Sequence, residues 1–415
     1  MPQNTIQLSL QTELSLIARD VPSQRTLELV IEPPAAVQSA TRSSLNLALV
    51  LDRSGSMGGD KLHYVKLAAQ HLVDIMDEQD RVAVIAYDDE VTRVSESTPI
   101  TAESRRAIKS KIQEIHTGGS TNLSEGWLTG CGEVAAHHAD GQLERTLLLT
   151  DGLANAGIIE LEELAMHTRE LSTRGVSTST FGVGRDFNEH LLEAMANAGG
   201  GLYHFIASPE QIPEIFHREF NELVTVTARE VEITLEIPAG VAAQVLGAWT
   251  VETDGSKLRV FAGALQSGRA QSVYVSLLLP PAAAATEIAI KARLLARGDV
   301  NQVLESSAGI TFQYADADKI HAAKSDQAML ERSAQVRIAE AANQSLKLER
   351  AGEREKAYQN LKLAIDTSRA NLPADEVDKY TQMAERMRRG MDEMDRKTSH
   401  HTTYLKRQSR DEEQS

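Results

Sequence analysis

Three short segments of this 415-residue chain gather side chains that could hold a hard metal ion. Asp52-Arg53-Ser54-Gly55-Ser56-Met57 puts one carboxylate and two hydroxyls on alternate positions, directly after the apolar run Leu45 to Leu51. In a loop between a strand and a helix, those three side chains can all turn towards one point. Gly118-Gly119-Ser120-Thr121-Asn122 adds hydroxyls in a glycine-rich loop. Thr150-Asp151-Gly152 sets a second carboxylate at the tip of another apolar run. All of these donors are oxygens, with no cysteine or histidine among them. Magnesium takes about six oxygen ligands and usually keeps some of its waters, whereas soft-metal chemistry needs sulfur or imidazole. Manganese fits the same oxygen shell. A lone Asp-x-Ser-x-Ser also reads as a turn and helix cap, since Asp and Ser are favoured there. Three such loops in one pattern weigh against that reading.

The elements that must position these loops follow from hydrophobic periodicity. From Leu45 to Val226, short apolar runs alternate with amphipathic stretches. Leu45 to Leu51 is uninterrupted, as expected for a central strand covered on both faces. Lys61 to Met76 predicts a helix, Arg81 to Tyr87 a strand, and Val91 to Ser97 an edge strand. Thr101 caps a helix carrying Ile108 and Ile112. Arg145 to Thr150 is a further strand, Leu161 to Arg174 a helix stopping at Gly175, and Val176 to Val183 and Leu202 to Phe205 the last strands. This alternation predicts an α/β doubly wound (Rossmann-like) sheet with helices on both faces. Ligands of such sheets bind at the carboxyl ends of the strands, where the three loops fall.

With these motifs in place, residues 45–226 resemble a von Willebrand factor A (VWA) domain, over a little under half of the chain. The Asp52, Ser54, Ser56 motif, the threonine of Gly-Gly-Ser-Thr-Asn and the aspartate of Leu-Leu-Leu-Thr-Asp-Gly match that family's metal-ion-dependent adhesion site, with every position present. The resemblance implies that Ser54, Ser56 and Thr121 offer hydroxyls to a magnesium ion, and that Asp52 and Asp151 hold it directly or through waters. It also implies binding rather than turnover, with a protein partner offering an Asp or Glu to the ion. Neutral hydroxyls and waters in the shell would leave the ion much of its positive character, ready for that acid. Some intracellular members of the family act beside AAA-type ATPases, which makes such an ATPase the more specific expectation for a partner. The alternative is a scaffold whose metal only rigidifies the loops and whose C-terminal helices recruit partners.

Outside this region the texture changes. Ile6, Leu8, Leu10, Leu14 and Leu16 alternate, as do Leu27, Leu29 and Ile31, and period-two patterns predict half-buried strands. Residues 229–314 repeat the theme, with Val231, Ile233, Leu235 and Ile237 and then Val273, Val275 and Leu277. These short strands predict an antiparallel β-sandwich or barrel, with the sandwich taken as the fold class. The strands of residues 1–44 have no partners of their own, so they are expected to pair with this later sheet, leaving the α/β unit inserted. Residues 316–398 are rich in Ala, Glu, Lys, Arg and Gln and predict a helical region, broken at Gly352. Residues 399–415 are polar and predict a disordered tail.

Composition excludes other classes. Asp plus Glu is 59 against 43 Lys plus Arg, a formal charge of -16, which opposes nonspecific nucleic-acid binding. Cys131 is the only cysteine, so internal disulfides and multi-cysteine metal sites are out. No apolar run is long enough for a membrane span, and Met1 to Leu10 has no signal-like pattern; both favour a cytoplasmic protein over an extracellular adhesin. Enzyme readings fare poorly. A phosphoryl-accepting aspartate would need a second aspartate where Ser54 stands, Gly182-x-Gly184 lacks a third glycine, and no Gly-x-Ser-x-Gly elbow surrounds Ser54 or Ser56. No catalytic residue is assigned.

Overall fold

The computed structural model describes residues 5–35, 42–282, 286–298 and 302–409. The chain divides into two compact units. One comprises Met1–Ala35, Val231–Ala296 and Leu304–Ser415; the other comprises Ala36–Glu230 with Arg297–Val303. Three strands open the first unit: β1 (Gln7–Thr12), β2 (Leu16–Ala18) and β3 (Ser23–Glu32).

The second unit is the α/β one. Its strands are β4 (Leu45–Asp52), β5 (Arg81–Tyr87), β6 (Val91–Pro99), β7 (Leu143–Thr150), β8 (Val176–Val183) and β9 (Gly200–Ile206), in the order β6-β5-β4-β7-β8-β9. All pairings are parallel except that of β6 with β5. Every residue of β4 and β7 is buried, because helices cover both faces of the sheet centre. The chain leaves β4 towards β5 on one side and returns to β7 on the other. The crevice at the carboxyl ends of β4 and β7 is therefore the switch point of the sheet, the place where such folds bind ligands.

The helices of this unit are α1 (Asp60–Ile75), α2 (Ala102–Gln113), α3 (Leu123–Ala135), α4 (Leu161–Thr173), α5 (Glu189–Ala198) and α6 (Ile212–Val224). Thr101 caps α2 through a reciprocal bond pair with Ser104, as its position before the apolar stripe predicts. α3 lies close on the sheet at Gly126, where an added methyl carbon would fall 2.5 Å from Cγ of Tyr87. Neither α5 nor α6 was assigned from sequence. α6 turns Ile212, Ile215, Phe216, Phe220 and Leu223 inwards, and Glu219 with them.

The first unit resumes with β10 (Val226–Glu236), β11 (Ala242–Leu246), β12 (Thr250–Asp254), β13 (Lys257–Gln266), β14 (Gln271–Leu279), β15 (Glu287–Arg297) and β16 (Val303–Ala315). One sheet runs β1-β3-β14-β11 and the other β12-β13-β10-β15-β16-β2. β3 pairs antiparallel with β14, Ile31 opposite Gln271 and Ser23 opposite Leu279, while β2 pairs parallel with β16. Strands from before and after the α/β unit thus share both sheets.

Helices α7 (Ala317–Ala322), α8 (Gln327–Arg350), α9 (Arg354–Ser368), α10 (Ala374–Arg389) and α11 (Glu393–Arg407) complete the chain. Gly352, at φ 83°, ends the first long helix where the sequence suggests. The expected disordered tail over 399–415 needs correction. Residues 399–407 belong to α11, which packs on α8 and buries Ser399, His400, Thr403, Tyr404 and Leu405; residues 410–415 lie outside the described ones. Among the described residues no helix is long and apolar enough to cross a membrane.

Candidate metal centre

Asp52 ends β4, fully buried. Its Oδ1 accepts the backbone N–H of Ser54 at 2.8 Å, and its Oδ2 accepts the Thr150 hydroxyl at 2.7 Å. Because Thr150 ends β7, the second bond ties the tips of the two central strands together. Burial raises the Asp52 pKa to about 6. The bonds from Ser54 and Thr150 oppose that rise, and the like charge of Asp151 adds to it.

Asp151 follows β7 and is equally buried. Its Oδ1 accepts the Ser56 hydroxyl at 2.7 Å, and its Oδ2 forms an ion pair with the ammonium of Lys61. Ser54 Oγ stands 3.2 Å from Ser56 Oγ. Thr121 joins from the third loop: a methyl carbon added at Gly152 would lie 3.6 Å from Thr121 Oγ1 and 3.8 Å from Ser56 Oγ. Two carboxylates and three hydroxyls, drawn from loops nearly a hundred residues apart in sequence, thus meet at one end of the sheet.

Backbone bonds stitch the loops into this arrangement. Gly55 N–H donates to Gly119 O at 2.9 Å, Gly118 N–H to Arg53 O at 2.8 Å, and Asn155 N–H to Thr121 O at 3.1 Å. Asp88, just past β5, acts as the central post. Its carboxylate accepts the N–H groups of Glu90 and Gly119 and pairs with Arg53 at 3.0 Å. Burial alone would raise the Asp88 pKa, but those two N–H bonds and the guanidinium outweigh it and hold the group below its ordinary value. Gly118 must be glycine for this approach, since a methyl carbon there would sit 1.5 Å from Asp88 Oδ2.

Sequence reasoning missed Asp88, Arg53 and Lys61. The readable signal for Lys61 was its place in the first turn of α1, five residues after Ser56. Asp88 and Arg53 carry no local signal, because their roles exist only once the loops meet. Among the described residues, no group of three or more His, Cys, Asp or Glu side chains is placed to hold a metal. Any ion here must therefore rely on hydroxyls as well as carboxylates.

A family profile of the von Willebrand factor type A domain matches residues 46–218. These residues are a von Willebrand factor type A domain. The chain is 32% identical over 219 residues to the Synechocystis sp. protein sll0103, covering 52% of this chain and 50% of that protein. It is 28% identical over 215 residues to YfbK of Escherichia coli, covering 51% of this chain and 37% of YfbK. The matches thus span half or less of these relatives' length. Among solved structures, a von Willebrand factor type A protein from Catenulispora acidiphila superposes with a TM-score of 0.77 at 17% identity, over 96% of this chain and 97% of that one. The ArnB paralog VWA2 from Sulfolobus acidocaldarius does so at 0.63 and 17%, over 98% of each chain. At such identities these likenesses establish fold alone. VWA domains generally mediate protein–protein interaction, often with a metal ion. The donors fit such an ion: all are oxygens, two of the five are buried carboxylates, and the Ser56 hydroxyl lies within bonding distance of both Asp151 and Ser54.

Proposed function

We propose that the VWA domain binds a protein partner through a magnesium ion held by Asp52, Ser54, Ser56, Thr121 and Asp151, with an Asp or Glu of the partner completing the shell. The convergence of these oxygens at the switch point of the sheet carries the reading. When bound, the ion supplies a positive centre to which the incoming acid makes a charge-assisted bond. The chain's own part is to fix the donors. Asp52 is held by Ser54 N–H and the Thr150 hydroxyl, Asp151 is held by Ser56 and Lys61, and the glycine loop is pinned by Asp88. The reading is one of recognition rather than catalysis.

Titration calorimetry with magnesium chloride tests the site: one bound ion in the wild type, lost in Asp52→Asn. Capture of partners by the immobilised chain, with magnesium or with EDTA, tests the use of that ion. Partners lost both on chelation and in Asp52→Asn support the reading. Partners kept in EDTA transfer recognition to another surface, such as the helices α8 to α11, and make the ion a brace for the loops.

A further inference from the structure

Among the described residues, Lys61 is the cation paired with a donor of the candidate site. It stands in the first turn of α1, its ammonium paired with Oδ2 of the fully buried Asp151, while its own side chain is 26% exposed. A methyl carbon at Gly184, just past β8, would lie 3.9 Å from both Cε and Nζ of Lys61, so the ammonium sits at the rim of the same strand ends. The neighbouring Arg53 and Asp88 neutralise each other at 3.0 Å. Among the described residues, the charged groups of the donor set and of the side chains paired with it are two carboxylates and one ammonium, a net charge of minus one.

That sum decides what the loaded site would accept. A divalent ion between Asp52 and Asp151 alone would form a cluster of zero net charge, and an acid bound to that ion would leave the cluster negative. With Lys61 present, the same ion leaves one net positive charge in a largely buried place, where charge imbalance is costly. One carboxylate cancels it. The ammonium also repels the ion, since like charges at close range in a partly buried setting interact strongly. Grip on the metal is thereby weakened while demand for an acid is strengthened.

We propose that Lys61 is the specificity-determining residue of this site: it strengthens the mutual dependence of metal and carboxylate binding, so the occupied state is completed by a singly charged acidic side chain of the partner. This rests on the metal reading given above. The two effects of removing the ammonium have opposite signs, which a merely structural lysine would not produce. Linkage requires that an anion which binds the loaded site tighten the metal by the same factor that the metal tightens the anion.

Calorimetric magnesium titrations in chloride and in acetate, corrected for the magnesium–acetate complex, provide the test, with acetate as the probe acid. Wild type should bind magnesium more tightly as acetate is added. Lys61→Met, which keeps the length of the stem and removes the charge, should bind magnesium about tenfold more tightly in chloride and show a much smaller acetate dependence, that of the ion alone. Lys61→Gln should behave alike, and serves if the methionine variant does not fold. Lys61→Arg, keeping the charge, should keep the acetate dependence. If wild type binds no magnesium, or Asp52→Asn binds it equally well, the metal reading itself fails. If the ion binds in an Asp52-dependent way but both neutral variants bind it no more tightly than wild type, or respond to acetate as strongly as wild type does, then Lys61 only anchors α1 and the proposal is overturned.

Discussion

Strand β7 carries two buried charge clusters, one near each end, and they are built on opposite plans. Arg145 and Asp151 are six residues apart, about 20 Å along an extended chain. At the Arg145 end, Glu219 of α6 accepts the guanidinium at 3.1 Å and the Ser179 hydroxyl at 2.6 Å, and lies 2.9 Å from Nε2 of His204. Phe181 stacks on that imidazole, with ring centroids 4.8 Å apart. Burial pushes the Glu219 pKa up, but His204, Arg145 and Ser179 together outweigh it and bring the group down to about 2. At the other end, Asp52 is just as buried and its pKa goes the other way, to about 6. The difference lies in counter-charge. Glu219 has its cation within the chain and forms a closed structural joint, whereas Asp52 and Asp151 share a single ammonium between them. A buried carboxylate left short of compensation is the mark of a place that something else completes.

Breaking each cluster should show the contrast at its largest. Glu219→Ala leaves the Arg145 guanidinium buried and unpaired and should destabilise the protein by about 3–5 kcal/mol, measured by urea unfolding at neutral pH. Asp52→Asn in EDTA should shift stability by no more than about 1 kcal/mol, because the amide oxygen still accepts a hydrogen bond and one of two like charges is removed. The same variant should lose magnesium affinity by at least about a hundredfold, or about 2.7 kcal/mol. Equal destabilisation by both variants without metal would mean that both clusters are structural joints, and the contrast would be gone.

Acid sharpens the comparison. Glu219 has an ordinary pKa of 4.5 and a folded one of about 2, so its ionised form is favoured by folding. The stability this contributes is complete above about 4.5 and disappears as pH falls towards about 2. The stability gap between wild type and Glu219→Gln should therefore narrow across that window in a series of urea melts. A gap constant from pH 5 to pH 2 would show that the ionised carboxylate does not hold α6 in place.

These clusters also mark what the sequence alone can and cannot reveal. Local periodicity was enough for β4 and β5, because strands buried on both faces read as unbroken apolar runs. The five residues proposed as donors could be picked out because the metal site of the resembled family draws a fixed set of residue types onto loop positions, and the structure brings these five together. α6 was harder. Its apolar stripe is interrupted by Glu219, and the partners that allow a carboxylate there are Arg145, 74 residues away, and His204, 15 away. Lys61 was overlooked for the same reason, since its partner Asp151 is 90 residues distant. The second half of α11 reads as a tail from sequence because many of its buried positions are polar, including Ser399, His400 and Thr403. Periodicity sees apolar burial, and polar burial depends on partners that only the fold brings near.

The smallest expected effect tests whether the open cluster is built for an ion rather than for itself. Ser54 is buried, with its hydroxyl 3.2 Å from that of Ser56. Removing it in Ser54→Ala leaves the Ser56 bond to Asp151 intact and keeps the Ser54 N–H that Asp52 accepts. No buried group is orphaned, so stability in EDTA should change by less than about 0.5 kcal/mol. One neutral donor to the metal is lost, however, and magnesium affinity should fall about tenfold, near the upper end of what a single uncharged contact contributes. The two readouts should part company: calorimetry moves while the metal-free melt does not. If the melt shifts and the affinity does not, the hydroxyl is a packing element of the loop and the count of donors falls from five to four.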